Sequence, residues 1–178
     1  MASVTSKTAN WRLFGGSALL LATILWILAQ LAGNISWLLA LAWIILAAGL
    51  VIVAFGQTGG NGAVGKYVLG KAALVVFAAG WAILAINVLY PLGAIVLVFA
   101  ALFIIVGGLV SAWAIYRKSV AKGAARWILF LPAVVGDIWV AGLLSPALAT
   151  TSTWLVIALA VLFGISGALY LLNDRKIG

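Results

Sequence analysis

Residues 126–145 read Arg126-Trp-Ile-Leu-Phe-Leu-Pro132-Ala-Val-Val-Gly-Asp137-Ile-Trp-Val-Ala-Gly-Leu-Leu-Ser145. The run is long enough to cross a bilayer and carries one acid, Asp137, near its middle. A carboxylate at that depth costs roughly 2.5–3.5 kcal/mol on insertion scales, so neighbouring helices must shelter it or it must hold a proton. Only a chain that is membrane-embedded throughout gives such a segment its surroundings, and the rest of the sequence is of that kind. Of 178 residues, 67% are apolar, against about 45–50% in soluble domains. Mean hydropathy is +1.35.

Working outward from this run, five further apolar segments emerge. The expected spans are 13–31, 35–55, 67–89, 92–115, 127–144 and 154–172, each close to the length that hydrocarbon requires. Residues 1–10 read as a short polar tail, and 11–178 as a single six-helix transmembrane domain. The first apolar run is longer than the core of a signal peptide, so it is expected to stay as a helix. Gly33-Asn34 and Tyr90-Pro91 mark tight turns. Residues 56–66 hold a G-x-x-x-x-G-K string ending at Lys66. A phosphate loop needs Ser or Thr next and a buried strand before it. Tyr67 follows and a membrane span precedes, so the segment reads as a loop between helices.

Charge sets the orientation. The chain has 10 Lys and Arg against 2 Asp and Glu, a net charge of +8. Lys7, Arg12, Lys66, Lys71, Arg117, Lys118, Lys122, Arg126, Arg175 and Lys176 all fall on one side of a six-span topology. The opposite loops, 32–34, 90–91 and 145–153, carry none. The positive-inside rule then places both termini in the cytoplasm. The linker residues Arg117, Lys118, Lys122 and Arg126 would meet anionic lipid headgroups; charge so arranged does not imply nucleic acid. Trp11, Trp37, Trp113, Trp127 and Trp154 lie near span ends, as interfacial belts do. Trp26, Trp43, Trp81 and Trp139 lie deeper and read as packing residues.

The spans also repeat. Gly49, Gly108 and Gly167 are spaced 59 and 59 residues apart, as are Ala42, Ala101 and Ala160. The expected fold is all-α, with six transmembrane helices arranged as three repeated two-helix hairpins in one orientation. Small residues recur at helix-packing spacing, in Ala160, Gly164 and Ala168 and around Gly49 and Gly108. Such a stripe serves packing within one bundle or a self-association face.

Chemistry is sparse. Without histidine or cysteine, no Ser-His pair, thiolate or common metal site can be assembled, and no cofactor is expected. Asp137 is the candidate proton-binding residue; the alternative is a structural hydrogen bond to a neighbouring helix. Asp137 shares a face with Ala133 and Ala141, and Pro132, about one turn ahead of Asp137, is expected to free the Ile128 carbonyl and open a polar pocket. Gln30, Asn87 and Ser145 lie toward the uncharged loops, where they cap helix ends or line a shallow mouth.

Six spans in three hairpins, with Leu89-Tyr-Pro-Leu-Gly93, the basic run from Tyr116 to Lys122, Val135-Gly-Asp-Ile138 and Leu144-Ser-Pro146, resemble the HdeD-like acid-resistance membrane proteins. The resemblance covers about residues 11–172. It implies a non-enzymatic inner-membrane protein linked to acid or envelope stress, with no catalytic residues to carry over. Two other functions fit the residues: a small proton-linked transporter or channel using Asp137, and an accessory subunit packed against a larger membrane complex. Partners would be the lipid bilayer, a second copy or another membrane protein.

Overall fold

A computed structural model describes residues 10–56, 62–118, 123–145 and 152–172. They form six helices: α1 (Asn10–Leu31), α2 (Ser36–Phe55), α3 (Val68–Leu89), α4 (Ala94–Lys118), α5 (Phe130–Leu144) and α6 (Ser152–Leu172). A short 3-10 helix, Gly123–Arg126, precedes α5. All six spans are long and apolar enough to cross a membrane, so this is a multi-pass membrane protein. Lipid offers the backbone no hydrogen bonds, and a helix satisfies its own. The helices are apolar all round rather than striped. Leu21, Ile24 and Leu28 of α1 and Leu131, Val134 and Ile138 of α5 point outward, where hydrocarbon receives them without cost.

Each helix packs on its sequence neighbours, and α6 returns to α1, closing a ring. The turn between α1 and α2 is made by Gly33 and Asn34 at φ 90° and 63°, a left-handed conformation that glycine and asparagine tolerate best. The packing is least extensive on both sides of α5.

Glycine sets the close seams. A methyl group on Gly16 would come within 2.7 Å of the Gly167 carbonyl oxygen, which locks α1 to α6. One on Gly107 would come within 2.5 Å of the Phe77 backbone nitrogen, which locks α4 to α3. Gly49 faces Ala18 and Leu19 of α1, and Gly108 faces the Phe77 ring and Ala133. The small-residue stripe of α6 is internal: Ala160 is fully buried, and Gly164 lies against the Thr23 side chain of α1. Ala168, at the end of the stripe, is half-buried.

The centre of the ring is aromatic. Trp26, Trp43, Trp81 and Trp139 come from four helices and meet Phe77 and Phe163. Centroid separations include 5.4 Å for Trp26–Trp81 and 5.6 Å for both Trp26–Trp43 and Trp81–Phe163. Trp81 and Trp139 stack nearly parallel at 5.8 Å. Such pairs contribute about 0.5–1.5 kcal/mol each beyond the area they bury.

Two expectations about ends need correction. Trp11 is not in an interfacial belt: it is 2% exposed and packs edge-on against Tyr170 at 5.8 Å, because α1 begins before residue 13 and its first turn lies under α6. Trp37, Trp113, Trp127 and Trp154 are exposed at helix ends as expected. The glycine-rich segment is more than a loop where it is described. Ala63 donates its N–H to the Val53 carbonyl at 2.7 Å, and Ala63 and Val64 are buried. Gly62 sits so close to the Val53 and Ala54 carbonyls that any side chain would collide. The segment thus folds back and covers the end of α2. The string from Gly60 and the tail before Asn10 fall partly or wholly outside the described residues.

Candidate functional site

Asp137 owes its position to the turn of α5. Ala133, four residues earlier, is buried against α4 beside Gly108. Gly136 faces the centre, with Leu159, Ile104 and Trp81 around it. Val134 and Ile138 face outward. Helical spacing of 100° per residue then puts Asp137 on the flank of α5 that adjoins α4, between the buried and outward faces. The side chain is half-buried. Its Oδ1 is buried, and no donor among the described residues reaches it. Shelter is therefore one-sided, and among the described residues no hydrogen-bond donor on the buried side offsets the cost of a charge.

The polar pocket expected from Pro132 does not form. The α-helix starts only at Phe130, so Pro132 sits in its first turn, where an N–H would have had no intrahelical partner. The Ile128 carbonyl is taken by the N–H of Leu131 at 3.2 Å. Proline here is a helix starter rather than a kink, because the preceding residues turn as 3-10.

A recess does open at the uncharged end. It holds about 190 Å³, with Gln30, Asn34 and Thr153 on its walls and Trp43 and Trp139 among its lining. The Gln30 amide donates to Asn34 Oδ1 at 3.1 Å, which spans the end of α1 and the turn after it. Asn87 instead caps a turn, accepting from the Leu92 N–H at 2.9 Å. Gln30 is thus part of a mouth, and Asn87 is a cap. The Trp43 indole N–H is buried without a partner among the described residues, as are those of Trp26 and Trp81. In edge-to-face packing a ring edge meets a neighbouring π face, a weak acceptor for such a donor.

The basic end is built from cation–ring pairs. Arg12 lies over Trp11 at 5.4 Å, Lys71 over Phe55 at 5.6 Å, Arg117 over Trp113 at 5.5 Å and Arg126 over Tyr116 at 5.2 Å. Arg126 also donates from Nε to the Tyr116 carbonyl at 3.0 Å, with a second bond from Nη2. It caps the last turn of α4, a use for arginine that complements the negative helix end. Of the four linker cations, Arg117 is exposed and Arg126 is committed to α4. Lys118 ends α4, and Lys122 lies outside the described residues.

Thr23 also joins two helices, a role that hydropathy alone does not reveal. Its hydroxyl lies 2.9 Å from the Ala160 carbonyl of α6 and 3.0 Å from Leu19 O of its own helix. A polar residue one turn from Trp26 in an apolar span would have been the clue. Among the described residues, no group of three or more potential metal ligands exists.

No family model, curated protein or solved structure matches this chain.

Proposed function

We propose that the chain is a non-enzymatic membrane protein of the HdeD-like kind. It acts through contacts made in the bilayer and at its faces, in support of the envelope under acid or related stress. In this reading three two-helix repeats form the ring, both termini are cytoplasmic, and the basic end meets anionic lipid of the inner membrane. The observation that carries the non-conducting part is the aromatic centre: six rings from five helices occupy the axis along which a six-helix ring would otherwise conduct. The absence of histidine and cysteine from the sequence supports the non-enzymatic part. Purified protein in liposomes loaded with a pH-sensitive dye should give proton flux no higher than empty liposomes. Loss of the gene in its own host should lower survival at low pH.

A second reading has one observation behind it. Oδ1 of Asp137 is buried without a partner among the described residues, and intramembrane acids of that kind mark proton sites. Flux above the empty-liposome level, abolished in Asp137→Asn, would establish this reading and overturn the first.

A further inference from the structure

The outer seam between α3 and α4 carries a groove of about 200 Å³, lined by Leu69, Ala72, Val76, Val106, Gly107 and Val110 among others. No polar side chain lines it. Gly107 brings the two helices together against Phe77, and the groove lies above that contact. Val106 and Leu69 are more than half exposed, so the groove opens outward, away from the aromatic centre.

Its direction is informative. On α4, Val106, Val110, Trp113 and Arg117 are spaced by four, three and four residues, which places them along one face. The groove therefore continues to the exposed pair in which the Arg117 guanidinium sits 5.5 Å from the Trp113 ring. In the turn just before the facing helix α3, Lys66 comes three residues before Leu69 and is exposed. Both cations stand at the same end, and both acids of the sequence, Asp137 and Asp174, belong to other segments.

The length matches one occupant. Val106 to Arg117 rises about 16 Å at 1.5 Å per residue. Half of the hydrocarbon core is about 15 Å. A lipid whose phosphate meets Arg117 would have Trp113 at its glycerol region, where interfacial tryptophans reside, and an acyl chain reaching Val106 near the midplane.

We propose that this seam binds one anionic phospholipid, with an acyl chain in the α3–α4 groove and its phosphate on Arg117. The site rests on the membrane reading alone and not on which face is cytoplasmic. It is independent of whether Asp137 carries protons.

The test uses the full chain in mild detergent, given equal amounts of phosphatidylglycerol and phosphatidylcholine and examined by native mass spectrometry. The expected spectrum shows one retained lipid per chain, phosphatidylglycerol over phosphatidylcholine by about tenfold. Ala72→Phe fills the groove and should reduce retention about tenfold. The same ring placed by Leu131→Phe, on the outward face of α5, should leave it unchanged and controls for folding. Arg117→Gln should keep a lipid but lose the headgroup preference. Retention unaffected by Ala72→Phe, or a preference unaffected by Arg117→Gln, overturns the site. The chain has no cysteine, so Val106→Cys reports directly on a competing occupant. Disulfide-linked dimers in the membrane would mean that a second copy covers the seam, and the lipid assignment would fail.

Discussion

The contact of Gly164 with Thr23 offers a sharp test of how the ring is closed. A methyl group at residue 164 would lie 2.9 Å from Thr23 Cγ2 and 3.2 Å from Thr23 Oγ1. Both are short of ordinary van der Waals contact, and Thr23 is 8% exposed with little space to move into. Gly164→Ala should therefore destabilise by about 1–3 kcal/mol, the usual cost of overpacking. The better helix propensity of alanine offsets up to about 1 kcal/mol of that. Thr23→Ala removes the bond to Ala160 O, a loss of about 0.6 kcal/mol and at most about 1.7 for interhelical bonds in membranes. It also removes the two atoms that a methyl at 164 would strike, leaving Thr23 Cβ, at 3.3 Å, as the next contact. The double variant should then be more stable than the sum of the singles implies, with a coupling of about 1 kcal/mol or more. The assay is reversible unfolding of all four proteins in dodecyl maltoside titrated with SDS. Strict additivity would refute the claim that steric contact at this point holds α6 to α1.

Two other outcomes follow from the same geometry. Single cysteines at Asn34 and Tyr90 should react with a membrane-impermeant reagent in whole cells, while ones at Lys66 and Gly123 should react only after lysis; labelling at Gly123 in intact cells would invert the topology. Trp26→Ala should cost about 3–5 kcal/mol, as expected for a large core ring, whereas Trp154→Ala should change the unfolding midpoint little, since Trp154 is 81% exposed; equal effects would dissolve the distinction between centre and rim.

The six spans were legible because hydrocarbon imposes one simple demand, a run of apolar residues of fixed length, and each run shows it. The four deep tryptophans are legible for the same reason, since position along a span is depth, whereas Trp11 is not, because its burial comes from Tyr170 on another helix. Rotational position was not legible. In a helix apolar on every side no stripe distinguishes the inner face, so Gly16 and Thr23 gave no sign that they meet α6. That Pro132 starts a helix is not visible in the sequence, because residues 127–129 are as apolar as α5 itself and yet lie in turns closed by i→i+3 bonds before it. Arg126 resembled its basic neighbours, and only the approach of the Tyr116 carbonyl distinguishes a cap from a lipid contact. The regular spacing of Gly49, Gly108 and Gly167 is plain in the sequence, yet the three do different work. Gly49 meets α1, the helix before its own, Gly108 meets both α3 and α5, and Gly167 turns to Gly16 across the ring closure.

That last difference bears on how a ring of six helices becomes solid. Lipid tails are as apolar as leucine, so no hydrophobic force draws the helices together, and association rests on close packing. Packing six cylinders in a ring leaves an axial space that small residues cannot fill. Here glycine and alanine occupy the seams, where backbones must approach, and indole and phenyl rings occupy the axis. Each choice depends on the other: without the glycines the helices would stand too far apart for the rings to meet, and without the rings the tight seams would enclose a void. The rings bury three indole N–H groups with no hydrogen-bond partner among the described residues, at about 1–3 kcal/mol each for an unmade bond. The ring contacts, at about 0.5–1.5 kcal/mol apiece, are numerous enough to offset that cost.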